Sequence, residues 1–111
     1  MGILFKDNSG WGPKQAISNA FFKDILEIIG DKIEYQALVN EINDSILFYT
    51  FTLDYRDRTD TELFLLLEAV IILFFEFDEM YSNRLDEEVI IVYRKSIEDL
   101  KDLLKEFFIK L

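Results

Sequence analysis

The residues of this chain with chemical potential are carboxylates, and they gather in two places. One group is Asp54, Asp57, Asp60 and Glu62; the other is Glu76, Asp78, Glu79, Asp86, Glu87 and Glu88. Residues 54–88 carry eleven acidic and three basic side chains, a net charge of −8, against −3 for residues 1–53 and +1 for residues 89–111. The chain has no histidine and no cysteine. The commonest general base, the commonest metal ligand and the thiol nucleophile are therefore absent.

Carboxylates alone could do acid–base work, hold a hard cation or grip a basic group. A catalytic pair must face one cleft, and nothing in the spacing marks one. The di-iron helical pattern needs Glu-x-x-His. A calcium loop needs a glycine at its turn, and residues 54–60 contain none. There is no nucleophile motif, no glycine-rich phosphate loop and no basic stripe. The expectation is a non-enzyme with no catalytic residue, no cofactor and no metal site. With a net charge of −10 and a pI near 4.3, the surface should repel nucleic acid and anionic membranes and attract a basic protein.

Part of the acidity has an ordinary cause. Asp60, Glu62, Asp86, Glu87 and Glu88 fall where first helical turns are expected, and there they complement the helix dipole. Glu76, Asp78 and Glu79 do not. They follow an apolar run at a helix C-terminus, where each carboxylate is unfavourable by a few tenths of a kcal/mol. Acids placed against local preference point to a partner.

The element that must hold both groups is LFLLLEAVIILFF, residues 63–75, in which Glu68 is the only polar side chain among thirteen. A helix apolar on every side needs protein or lipid around it. The run is too short to span a bilayer, which takes about 20 apolar residues. It reads as a central helix over residues 60–80, started by a capping box from Thr59 to Glu62. Glu68 is either a buried carboxyl or, more ordinarily, one that reaches the surface or a partner.

The remaining elements surround this helix. Pro13 suits a helix start, and Ile17, Phe21, Ile25, Ile28 and Ile29 recur at helical spacing, which predicts a first helix over 14–29 closed by Gly30. Residues 31–54 fit a 3.6 period through Tyr35, Leu38, Val39, Ile42, Ile46, Tyr49 and Leu53. Yet Leu47, Tyr49, Phe51, Leu53 and Tyr55 alternate as a strand would. No second alternating run offers a strand partner, and a lone strand leaves its backbone unpaired, so helix is preferred over 46–55. A last helix is predicted over 86–109. The expected fold is all-α, one domain over 1–111: a four-helix bundle with a central, mostly buried third helix. Trp11, between Gly10 and Gly12, reads as a cap on the core or as an exposed contact residue.

Three segments carry a family resemblance. GDKIEYQALVNEI, TELFLLLEAVIILFFEFDEMY and LDEEVIIVYRKSIEDLKDLL, within residues 30–104, resemble the small helical immunity proteins of the colicin D immunity type. The resemblance implies an inhibitor that binds a basic nuclease toxin domain, typically one cleaving tRNA, by mimicking nucleic acid with acidic side chains. The acidic turn matches in residue type at Glu76, Asp78, Glu79, Asp86, Glu87 and Glu88. Tyr81, Tyr55 or Trp11 would serve as an aromatic anchor, and Asp54, Asp57 and Asp60 as a second acidic contact. The implied setting is the bacterial cytoplasm, with a monomer favoured over a homo-oligomer and no direct nucleic-acid or membrane contact. Rival expectations are a phage-type or DNA-mimic inhibitor of a host protein, and an oligomeric structural protein sharing its apolar helix.

Overall fold

The small apolar cluster at the start of the chain turns out to be a strand. In the computed structural model, which describes residues 2–6 and 9–109, β1 (Gly2–Leu4) pairs antiparallel with β2 (Gly10–Trp11). The chain then forms α1 (Gln15–Ile29), a 3-10 turn (Ile33–Tyr35), α2 (Gln36–Leu47), β3 (Thr52–Asp54), α3 (Asp60–Met80) and α4 (Glu88–Ile109). Strand β3 pairs parallel with β1, in the register Gly2 to Thr52, Ile3 to Leu53 and Leu4 to Asp54. The protein is mostly helical, with four α-helices and a small three-stranded sheet in the order β2-β1-β3.

The sheet corrects the all-α expectation and the helix expected through residue 54. Helix α2 stops at Leu47, and the buried Ser45 makes the stop. Its carbonyl accepts N–H bonds from Thr50 at 3.0 Å and Phe51 at 3.3 Å, and its Oγ accepts the N–H of Thr52 at 2.9 Å. One residue thus ends a helix and launches a strand. The turn between them places Tyr49 and Phe51 in the left-handed region, with φ of 57° and 46°. Each costs about 1–2 kcal/mol for a side chain of this kind. Phe51 is held there by burial, by its ring 6.5 Å from that of Phe22 and by its carbonyl, which accepts the N–H of Gly2. The partner that β3 was expected to lack is β1, too short to show an alternating pattern of its own. Gly2 is required in β1: its φ is 108°, and a Cβ there would lie 1.8 Å from the carbonyl oxygen of Trp11.

Helix α3 begins with the expected capping box. Thr59 Oγ1 accepts the Glu62 N–H at 3.2 Å, and Glu62 Oε1 accepts the Thr59 N–H at 3.3 Å. Leu63, Leu66, Leu67, Ala69, Val70, Leu73 and Phe77 are buried against α1 on one side and α4 on the other. Helix α2 packs mainly on α1 and β3 instead, so it does not close the bundle around α3. In consequence Phe64 is 50% and Phe75 78% exposed. Glu68 is half-buried on this side and accepts the Tyr35 hydroxyl at 3.1 Å. Burial first, then Glu68, pushes the Tyr35 phenol up to about 12. Trp11 caps the core: it is buried, its ring lies 4.6 Å from Phe21, and its Nε1 donates to the Ser96 carbonyl at 2.7 Å. Among the described residues no helix is long and apolar enough to cross a membrane.

Candidate functional site

The two acidic groups lie at opposite ends of α3. Its 21 residues at 1.5 Å per residue separate them by about 30 Å. They do not form one surface, and the two ends are built differently.

At the N-terminal end the chain's own arginines occupy two of the four carboxylates, Asp54 and Glu62. Asp54 takes Arg56 through Nε at 2.9 Å and Nη2 at 2.8 Å, and accepts the Arg56 N–H at 3.1 Å. The guanidinium bonds are the main reason its carboxyl sits down at about 2. Arg58 is held by both oxygens of Glu41, with Nη1 to Oε1 at 2.6 Å, and by Glu62 at 3.0 Å. It also lies 4.6 Å from the centre of the Tyr55 ring. Glu41 is the first reason the Arg58 guanidinium is pushed above its ordinary range. Glu62 is lowered, first by the Thr59 N–H and then by Arg58 against the cost of desolvation. Asp57 and Asp60 are exposed and make no ion pair among the described residues.

At the C-terminal end the organising group is Asp24 of α1. Its Oδ2 accepts the hydroxyl of Tyr81 at 2.5 Å and that of Tyr93 at 2.7 Å. The Phe77 ring packs 4.7 Å from Tyr81 and 5.1 Å from Tyr93. Burial first, and then Asp24, pushes both phenols up. This clamp pins the segment joining α3 to α4. On it Asp86 and Glu87 stand exposed, as do Glu88 at the start of α4 and Glu76, Asp78 and Glu79 on the last turns of α3. Asp78 pairs with Arg94 at 3.0 Å and Glu87 with Arg84 at 3.0 Å. Glu76, Glu79, Asp86 and Glu88 make no ion pair among the described residues. Leu85, Val89, Ile91 and Val92 lie exposed beside them.

The expected aromatic anchors are not on the surface. Trp11 and Tyr55 are buried, and half-buried Tyr81 is held inward by Asp24. Each has a polar tip or ring face that the fold itself uses. The exposed aromatics are Phe48, Tyr49, Phe64 and Phe75; of these, the periodicity places Tyr49 on a core face, and Phe64 and Phe75 fall in the apolar run read as a buried helix. Glu27 and Asp31, which no motif singles out, join Lys32, Met80 and Glu76 around a depression of about 440 Å³. Their position at the end of α1 signals exposure, but the approach to Glu76 is a matter of tertiary packing. Among the described residues no three carboxylates are grouped so as to hold a metal ion.

Comparison of the chain with family models, with curated proteins and with solved structures found no match in any of the three. The surface has to be understood from its own chemistry.

Proposed function

We propose that this chain binds a basic protein partner and neutralises it, as an immunity protein neutralises a nuclease toxin. The observation that carries the reading is a division of labour among charges. All four arginines, Arg56, Arg58, Arg84 and Arg94, are engaged by the chain's own carboxylates. Glu76, Glu79, Asp86 and Glu88 are exposed at one end and are engaged by none of them. Carboxylates so placed can accept the guanidinium forks of a nuclease cleft in place of phosphates. Complementary fields also speed encounter and exclude acidic competitors. The apolar side chains of Leu85 and Val89 supply contact area between the charges. A phage-type inhibitor of a host nuclease would use the same surface; a toxin gene found beside this one would favour the immunity reading.

Titration calorimetry and stopped-flow mixing with a basic nuclease toxin domain test the proposal. Changing Glu76, Glu79, Asp86 and Glu88 to the corresponding amides should lower the association rate about 10- to 100-fold at low salt. An unchanged rate would remove this surface from the function.

A second reading rests on a different observation. Phe64, whose ring meets Phe108 of α4, and Phe75 are exposed on α3, which favours self-association through that face. Light scattering on the wild type and on the Phe64→Ser, Phe75→Ser variant tests it; a wild-type monomer at micromolar concentration excludes it.

A further inference from the structure

Beside the turn that follows α2 lies an open depression of about 320 Å³, at the N-terminal end of α3. Its lining includes Asp44, Phe48, Thr50, Thr52, Asp54 and Arg58. Next to it three consecutive large apolar side chains stand in solvent: Leu47 is 67% exposed, Phe48 70% and Tyr49 84%. Isolated exposed apolar residues are ordinary, but a run of three at a pocket marks a contact surface.

The charges say what sort of group the pocket takes. Glu41, Asp44 and Asp54 line it against one cation, Arg58. Arg58 is already held by Glu41 and Glu62, and Asp54 by Arg56. Asp44 is exposed and makes no ion pair or side-chain hydrogen bond among the described residues. It is therefore the carboxylate open to a newcomer, and an anionic ligand would find no free arginine. Asp44 and Phe48 are four residues apart across the end of α2, where the Phe48 N–H bonds the Asp44 carbonyl at 3.0 Å. That spacing brings a carboxylate and an exposed ring to one face. A guanidinium can pair with the first while lying on the second.

We infer that this pocket receives an arginine side chain of the basic partner, paired with Asp44 and stacked on Phe48, with Leu47 and Tyr49 covering the neighbouring apolar contact. The inference rests on the reading of the chain as a module for a basic protein. It puts a second contact at the end of α3 opposite Glu79 and Asp86. Tyr49 belongs to this contact because the fold makes no use of its ring: it is in solvent, and its backbone is in a region that favours glycine.

The test is an amide NMR titration of the full chain with a nona-arginine peptide, repeated with nona-lysine and with the variants Asp44→Asn, Phe48→Ala and Tyr49→Gly. The expected result is a set of shifts at residues 44–54, stronger for arginine than for lysine. Affinity at that set should be weakened about tenfold by Asp44→Asn or by Phe48→Ala. Tyr49→Gly should weaken it by about threefold while raising the melting temperature, which a purely structural role for Tyr49 would not produce. All of these side chains are exposed, and circular dichroism will show the variants folded. Shifts confined to the neighbourhood of Glu76, Glu79, Asp86 and Glu88 would overturn the pocket and leave the proposed function standing. No shift at either end at low salt would overturn both.

Discussion

The two ends of α3 carry similar numbers of carboxylates and use them in opposite ways. At the start of the helix, Asp54, Glu41 and Glu62 are bonded to Arg56 and Arg58, and Glu62 also closes the capping box. These three acids serve the fold, while Asp57 and Asp60 beside them make no ion pair among the described residues. At the end of the helix, Glu76 and Glu79 sit against the dipole, without a cation, over a core held by the neutral hydroxyls of Tyr81 and Tyr93 on Asp24. Glu76 and Glu79 gain nothing from the helix dipole, although Asp78 and Glu87 beside them are paired with Arg94 and Arg84. Formal charge does not separate the two cases; what separates them is whether an arginine lies within reach.

The largest expected effect of a single change is at Asp24. Asp24→Ala leaves two partly buried hydroxyls without their acceptor, at about 1–3 kcal/mol each, and denaturant unfolding should show a loss of about 3 kcal/mol. Tyrosinate absorbance should then appear at lower pH, since Asp24 is one of the groups that oppose ionisation of Tyr81 and Tyr93. If the loss is below 0.5 kcal/mol, about the scatter of ordinary surface changes, the clamp does not hold the C-terminal end together.

Arg58→Ala comes next. It strands Glu41 and Glu62 and uncovers Tyr55, and should cost about 2 kcal/mol, because the pair is only partly solvated. The matching change at the other end, Arg84→Ala, removes an exposed pair and should cost under about 0.5 kcal/mol. Equal losses would erase the contrast between the ends.

The sharpest comparison is one of sign. Asp60→Asn removes a first-turn acid from α3 and should destabilise by about 0.5 kcal/mol. Glu79→Gln removes one from its last turn and should stabilise by a similar amount. Thermal melts of the two variants in low salt will decide this, and two shifts of the same sign would refute the dipole account.

Acid should reach the two ends differently as well. Asp54 and Glu62 are held below their ordinary values in the folded chain. Their stabilising contribution is complete above the unfolded values and fades as pH falls through the folded ones. Between about pH 4.5 and pH 2, NMR signals around residues 54–62 should therefore broaden or shift with loss of structure. The effect is small because Asp54 is fully solvated. An unchanged melting curve for Arg56→Ala across that range would confine Asp54 to a local contact.

Helix α3 was legible to the residue, 60–80, because a capping box, a long apolar run and a terminal acidic turn all agree. Helices α1 and α4 were legible to within two residues at their starts. The boundary that misled was the end of α2. Nothing at 45–48 is a glycine or proline; the stop is made by Ser45, whose bonds to residues 50–52 depend on β3 already lying beside β1. The acidic residues of the site were legible as positions, but their pairing was not. Asp78 and Arg94 are distant in sequence, and so are Glu41 and Arg58. The exposure of Leu47 and Tyr49 was hidden because β-forming residues in alternation look like core wherever they occur.

The bond from the Trp11 indole to the Ser96 carbonyl joins positions 85 residues apart. A chain made from its N-terminus must wait until the first half of α4 has been synthesised before that seam can close. Until then the β1–β2 flap lacks its cover, and closing so long a loop carries an entropic cost that local helices do not meet. The only tryptophan of the molecule is thus a built-in fluorophore at a long-range joint, and its emission will time the docking of α4 on the β1–β2 flap rather than the formation of the helices.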